Sequence, residues 1–211
     1  MLHLKFESKV FLSMGVVMSA TASLDWVARM TGSPVAELDA QATAWIAAEG
    51  PRAAPVFLPC LTGIRTPLNR PDMQGCMSGL HPGVTPAMLA YATMEGVAFQ
   101  FADCVAAQHE VGTLSERITA VGGGTRSQIW LRLLATVLDR PVSLIGGADT
   151  AGPLGAARLA AVASGSPMSV LHEPVAVTRV ILPDQDLAAA IAPRRTAMTA
   201  LTMGQGTVVP S

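Results

Sequence analysis

Apolar residues recur along the chain with two different spacings, and the changes between them predict alternating helices and strands. Helical spacing predicts helices over residues 19–30, 33–50, 85–111, 127–139, 153–163 and 183–203. Short apolar runs bounded by glycine or proline predict strands over residues 10–18, 55–61, 75–80, 117–121 and 141–145. The order strand, helix, strand, helix from residue 117 onward favours an α/β fold, with parallel strands covered by helices.

The predicted helix over residues 85–111 is apolar on nearly every face, so we expect it to be central and buried. Glu95 lies within it, and an ionised carboxylate would be costly there without a partner. We therefore expect Glu95 to be held in a structural hydrogen bond or an ion pair, with Arg65 as the candidate cation. A role in acid–base chemistry is the less favoured interpretation.

Composition and charge exclude several classes of protein. Half of the 211 residues are apolar, and the formal net charge is -1 with both signs thinly scattered. Because no basic stripe is present to gather phosphodiester groups, nucleic acid is not expected as a partner. The three cysteines, Cys60, Cys76 and Cys104, have neither CxxC spacing nor a nearby histidine pair. They are expected to be small buried side chains in a reducing cytoplasm, and no metal ligand is predicted.

The beginning of the chain leaves an alternative open. Lys5 and Lys9 precede the apolar run 10–18, and the following Ala20-Thr21-Ala22 is similar to a signal-peptidase site. A secretory signal is therefore the alternative to a cytoplasmic protein, although Glu7 lies within the basic segment and Ser13 and Gly15 interrupt the apolar run. No other apolar stretch approaches the roughly 20 residues that span a bilayer, so no membrane association is predicted.

A glycine-rich turn is the best local signal for a ligand. Gly122, Gly123 and Gly124 lie between a predicted strand and the helix that begins near Ser127. The sequence is neither a Walker loop nor a dinucleotide fingerprint. Glycines at this point let a ligand approach the backbone, and this interpretation is favoured over the alternative, a turn that needs positive φ. Trp130, on the apolar face of the helix, is interpreted as a core residue rather than a stacking platform for adenine.

Several blocks, in the same order, resemble the FGGY family of carbohydrate kinases. They are Met14–Ala20 with Ser23–Trp26, Phe57–Pro59 with Gly63, Arg65–Pro67 and Asn69, Gly75–Leu80 with Ala92–Gly96, the turn 122–127, and Gly155–Ala160. Two departures from the family's pattern are Ile64, where a glutamate is usual, and Met88, where a polar residue is usual.

This resemblance implies the C-terminal lobe of the actin-like ATPase (ribonuclease H-like) fold over residues 14–203, incomplete at its N-terminus. Residues 1–13 have no counterpart in it, and residues 204–211 form a tail. The resemblance further implies the loss of a hairpin that would lie in the sheet between the strands at 75–80 and 117–121.

The family also implies ATP as the nucleotide, with Mg²⁺. Gly122, Gly123 and Gly124 would let the adenosine lie against the backbone, and Ser127 would reach the ribose or the base. The parent enzyme would transfer the γ-phosphate of ATP to a pentulose such as D-xylulose.

Its N-terminal lobe would supply the sugar pocket and the catalytic base, so we expect no catalytic residue in this chain and no activity from it alone. A partner chain could supply that lobe. Two alternatives stay open: a non-catalytic nucleotide-binding or interaction module, and an unrelated α/β enzyme.

Overall fold

The computed structural model describes residues 2–7, 10–113 and 117–204, with side chains from residue 12 onward. The elements in chain order are β1 (Leu2–Glu7), β2 (Val10–Met14), α1 (Thr21–Thr31), α2 (Val35–Glu49), β3 (Val56–Leu58), β4 (Cys76–Ser78), α3 (Pro86–Glu110), β5 (Ile118–Ala120), α4 (Gln128–Leu138), β6 (Val142–Ile145), α5 (Ala151–Ala163), β7 (Val177–Ile181) and α6 (Gln185–Gly204). Short 3₁₀ helices cover Gly123–Arg126, Ala148–Thr150 and Met168–His172. Most of the predicted tail, residues 205–211, lies outside the described residues.

The six predicted helices are all present, with ends shifted by a few residues, and the predicted strands are mostly shorter. The strand expected over 55–61 covers only Val56–Leu58. Pro55 and Pro59 flank it, and proline has no N–H to donate to a strand ladder. Strand β7 was not predicted, because four of its five residues are exposed and no buried apolar run marks it.

The strands form three separate sheets within the described residues. β3 pairs with β4 in antiparallel orientation, and β5, β6 and β7 form a sheet in that order. β5 and β6 are parallel, as predicted, whereas β7 is antiparallel to β6. The strand predicted over residues 10–18 was only partly correct, because it ends at Met14 and pairs with β1 as an antiparallel hairpin. This hairpin was not predicted from the sequence.

Helix α3 is the centre of the core, as its apolar character predicted. Thirteen of its residues are buried. The side chains that surround it come from α1, α2, β3, α4 and α6, and include Val27, Leu38, Leu58, Leu133 and Ile191. Ile64 and Met88, the two departures from the family's pattern, are both buried in the same core. An apolar residue at each of these positions therefore contributes to packing.

Helix α3 touches the backbone of β3 directly at Gly96. A Cβ at this position would lie 2.3 Å from the carbonyl oxygen of Phe57 and 3.1 Å from Cδ of Pro59. Real Cβ atoms do not approach a carbonyl oxygen so closely, so only glycine allows the helix and the strand to come this near. This contact fixes β3 relative to the centre of the core.

Glu95 does have a partner, but the partner is not Arg65. Arg194 of α6 donates to both carboxylate oxygens of Glu95, with N···O distances of 2.7–3.0 Å, and the Tyr91 hydroxyl donates to Oε1 at 3.1 Å. Burial raises the pKa of Glu95, while the hydrogen bonds and charge of Arg194 act in the opposite direction. Arg65 is exposed and donates to Asn69 instead. The structural role expected of Glu95 is thus confirmed, with a partner 99 residues away.

We expect Gly96→Ala to destabilise the chain by about 2–3 kcal/mol, since a methyl group must push α3 away from β3. The matched control is Gly155→Ala in α5, where a Cβ would meet nothing within 4 Å. That change should be neutral or stabilise by up to about 1 kcal/mol, because alanine is the better helix former. Urea denaturation of both variants checks this, and equal midpoints would contradict the close approach.

Candidate functional site

The glycine-rich turn follows β5 and is tied to the loop that follows β6. The Gly122 amide donates to the carbonyl oxygen of Ala148 at 2.7 Å, and the Thr125 amide and hydroxyl donate to the carbonyl oxygen of Gly122 at 3.1 and 2.7 Å. Both loops lie at the carboxyl ends of the two parallel strands. This edge of an open α/β sheet is where such folds commonly bind ligands.

Positive φ explains only one of the three glycines. Gly122 has φ +95°, which side chains rarely adopt. Gly123 and Gly124 do not have positive φ. A Cβ on Gly123 would approach only Nη2 of Arg126, at 3.2 Å, and a Cβ on Gly124 would make ordinary contacts with Thr21 and Trp130. The turn therefore needs glycine at 122 for its conformation, whereas the other two leave space free beside the backbone.

That free space is part of a cleft of about 530 Å³ between the turn and the first two helices. Thr21 and Asp25 from α1 and Asp39 from α2 form its polar wall on the side of the helices, while Arg126 and Ser127 belong to the side of the turn. Gly123 and Gly124 lie in the opposite wall, and Leu24, Val35, Ala36 and Trp130 supply the apolar surface. Gly122 instead lines a smaller cavity, of about 270 Å³, next to β5 and α4. Three of the four residues predicted from the sequence thus meet in one cleft.

Ser127 is fixed by structural hydrogen bonds. It is the N-cap of α4, and its hydroxyl oxygen accepts from the Trp130 amide at 3.2 Å. The same hydroxyl donates to Oδ1 of Asp39. Only 8% of Ser127 is exposed, so it forms part of the floor of the cleft.

Trp130 is a core residue, as predicted. It is 4% exposed and its six-membered ring lies 3.8 Å from the position of a Cβ on Gly124. Its Nε1 is buried and has no hydrogen-bond partner within the described residues. The indole therefore closes the apolar end of the cleft by its packing against the turn.

Much of the polar wall consists of Thr21, Asp25 and Asp39, which were not predicted from the sequence. Asp25 lies within a block that resembles the family, but no pattern marked any of the three as a ligand-binding residue, and Asp39 is 88 residues from its partner Ser127. The carboxylates of Asp25 and Asp39 line the same cleft as Arg126, an exposed cation of the turn. The cleft can thus accept hydrogen bonds from one end of a ligand and attract negative charge at the other.

Other groups that could take part in chemistry have structural roles. Asp72 is exposed and pairs with Arg70 at 2.6 Å, and that hydrogen bond keeps the pKa of its carboxyl below the usual range. Burial raises the pKa of Cys60 and of Cys104 to about 11, so both thiols stay protonated near neutral pH. Neither the carboxylate nor the thiols are arranged as a base or a nucleophile.

Comparison with known proteins gives the family. Residues 3–164 match the model of the FGGY family of carbohydrate kinases, C-terminal domain. The chain belongs to this family. The match begins at residue 3 and thus includes residues that our sequence analysis left without a counterpart, and it ends before β7 and α6.

The relatives of this FGGY chain include xylulose kinases and glycerol kinases. It is 38% identical over 186 residues to a xylulose kinase of Escherichia coli K12, an alignment that covers 86% of this chain and 38% of that enzyme. It is also 38% identical to a glycerol kinase of Allorhizobium ampelinum over 127 residues, covering 58% of this chain and 25% of that enzyme. The chain therefore spans about two-fifths, or less, of the length of these relatives.

Solved structures give the same result for the fold. The crystal structure of a xyloylose kinase from Brucella ovis superposes with a TM-score of 0.76 and 34% identity, covering 90% of this chain and 39% of that one. The xylulose kinase from Rhodospirillum rubrum follows with a TM-score of 0.68 and 29% identity, over 87% of this chain and 38% of that one. The fold is thus the C-terminal lobe of an actin-like sugar kinase. No helix among the described residues is sufficiently long and apolar to cross a bilayer.

The two explanations of the glycine turn make different predictions for stability. Gly122→Ala should cost about 1–2 kcal/mol, because alanine is strained at φ +95°. Gly123→Ala should change stability by less than about 0.5 kcal/mol, since only the flexible end of Arg126 must move. Thermal denaturation of the two variants checks this pair. If Gly123→Ala were the more destabilising change, Gly123 would be needed for the turn itself and not for the open space.

Proposed function

We propose that this chain is the nucleotide-binding part of an ATP-dependent kinase that transfers the γ-phosphate of ATP to a pentulose, D-xylulose. The observation that carries the proposal is the cleft beside Gly123 and Gly124, where glycine is not required by the conformation of the turn. Its volume of about 530 Å³ lies within the range of small-ligand pockets. The relatives named xylulose kinase favour a pentulose as the sugar.

In this proposal adenosine lies against the backbone of the turn, which Gly122, Gly123 and Gly124 form. Ser127 holds the first turn of α4 in place at the base of the cleft. Arg126 lies at the exposed side of the turn and would face the phosphates. The binding is thus provided by shape and backbone on one wall and by polar side chains on the other.

Mg²⁺ is expected from the family, and any carboxylate ligand from the cleft would have to be Asp25 or Asp39. No group of three or more potential metal ligands occurs within the described residues. Octahedral Mg²⁺ is commonly held by one or two carboxylates together with substrate phosphates. We assign no step of the reaction to the metal here.

Phosphoryl transfer also requires an acceptor hydroxyl and a base aligned with the γ-phosphate. We propose that an N-terminal lobe, in the same polypeptide or in a partner chain, supplies the sugar pocket and this base. The chain corresponds to only 38% of the Escherichia coli xylulose kinase, which supports a division of labour of this kind. One alternative is a nucleotide-binding or interaction module without catalysis. With three free cysteines, two of them buried, we propose a reducing, cytoplasmic location.

Gly123→Leu should abolish or strongly weaken adenine-nucleotide binding, because the side chain would fill the space beside the backbone. The unaltered chain should bind ADP weakly, since closure of a second lobe is not available to tighten the site. Gly204→Leu is the matched control, because a Cβ at that glycine meets nothing within 4 Å and it does not line the cleft. Titration calorimetry with ADP checks this. Equal affinities of Gly123→Leu and the unaltered chain would show that the nucleotide binds elsewhere.

The 211-residue chain alone should give no xylulose-dependent release of ADP from ATP. The physical reason is that the proposed base and sugar pocket belong to another lobe. A coupled ADP-release assay with and without D-xylulose measures this, and full-length xylulose kinase serves as the positive control. Sugar-dependent turnover by the isolated chain would overturn the proposed division between the lobes.

A further inference from the structure

The hydrogen bonds of Ser127 leave it little capacity to recognise a ligand. Its one proton is donated to Oδ1 of Asp39, and its oxygen accepts from the Trp130 amide. A serine hydroxyl has a single donor, so Ser127 cannot donate to a ligand while the bond to Asp39 is intact. The polar group available beside it is the carboxylate of Asp39.

Asp39 is held in a defined position at the wall of the cleft. The residue before it, Leu38, is fully buried, and so is Ala42 one turn later, so this part of α2 is anchored in the core. Oδ1 of Asp39 accepts from Ser127, whereas Oδ2 has no hydrogen-bond partner within the described residues. Asp25, the other carboxylate of the cleft, is exposed and has no such anchor. A fixed acceptor with a free oxygen is suited to selecting a ligand group.

We propose that Asp39 is a specificity-determining residue of this site, and that its carboxylate accepts a hydrogen bond from the nucleoside part of the bound nucleotide. This inference rests on the proposed function. The donor is a ribose hydroxyl or the exocyclic amino group of adenine, which share the required chemistry. The negative charge of Asp39 repels phosphate, and Arg126 attracts it, so the nucleoside end of the ligand faces α2.

The test compares four nucleotides with the unaltered chain and with Asp39→Ala. ADP carries every candidate donor, 2′-deoxy-ADP and 3′-deoxy-ADP each lack one hydroxyl, and inosine diphosphate lacks the amino group. Glu37→Ala is the matched control, because Glu37 lies on the same helix, carries the same charge and does not line the cleft. Titration calorimetry gives the affinities, and thermal melting checks that each variant is folded.

The unaltered chain should bind one analogue about tenfold or more weakly than ADP, since hydrogen bonds to a charged group are worth at least this factor. Asp39→Ala should weaken ADP binding by a similar factor and bind that analogue and ADP equally. Glu37→Ala should keep both the affinity and the discrimination. The identity of the weak analogue tells whether a hydroxyl or the amino group is the donor.

Equal binding of all four nucleotides by the unaltered chain would overturn the inference, whether or not Asp39→Ala folds. Discrimination that persists in folded Asp39→Ala would also overturn it. If Gly123→Leu loses ADP binding while Asp39→Ala does not, the inference fails and the proposed function stands. If the unaltered chain does not bind ADP at all, the proposed function fails and the inference fails with it.

Discussion

The buried pair of Glu95 and Arg194 is the interaction on which the arrangement of the lobe depends. Arg194 is 7% exposed and Glu95 1%, so neither charge has water to solvate it. Besides its bonds to Glu95, Arg194 donates to the carbonyl oxygens of Ala54 and Pro55 at 2.7 and 3.0 Å. Removing one member of such a pair typically costs about 3–5 kcal/mol, because the other charge is left buried alone. One guanidinium thus links α6, α3 and the segment that leads into β3.

Helix α3 also connects this buried ion pair to the cleft. Met94 and Gly96 flank Glu95 in α3, and Gly96 sets the distance to β3. The Met94 sulfur lies 4.0 Å from the hydroxyl oxygen of Ser127, the N-cap of α4. Since Ser127 also holds Asp39, the position of the polar wall depends on the packing of α3. A cleft that is exposed on one side therefore has its floor in the core of the lobe.

The features predicted correctly from the sequence are those that depend on neighbouring residues. The glycine turn, the burial of α3 and the core position of Trp130 each follow from a pattern within one element. The features that were missed depend on partners far apart in the chain. Arg194 lies 99 residues from Glu95, so the nearer loop residue Arg65 was the wrong choice. β7 gave no signal, because its residues are largely exposed and its pairing with β6 is a tertiary property.

The residues of the polar wall could not be predicted from the sequence for a related reason. α1 and α2 precede the glycine turn by roughly 80 to 100 residues, and nothing in their periodicity marks Asp39 as different from Glu37 one half-turn earlier. The structure separates them, because the buried Leu38 and Ala42 orient α2 and Ser127 holds the Asp39 carboxylate. At Gly123 and Gly124 the turn leaves space beside its backbone, which any planar group can approach. In the proposed nucleotide site, selection among such groups therefore falls to the opposite wall, where α2 supplies a carboxylate held by its bond to Ser127 and by the burial of the adjacent residues.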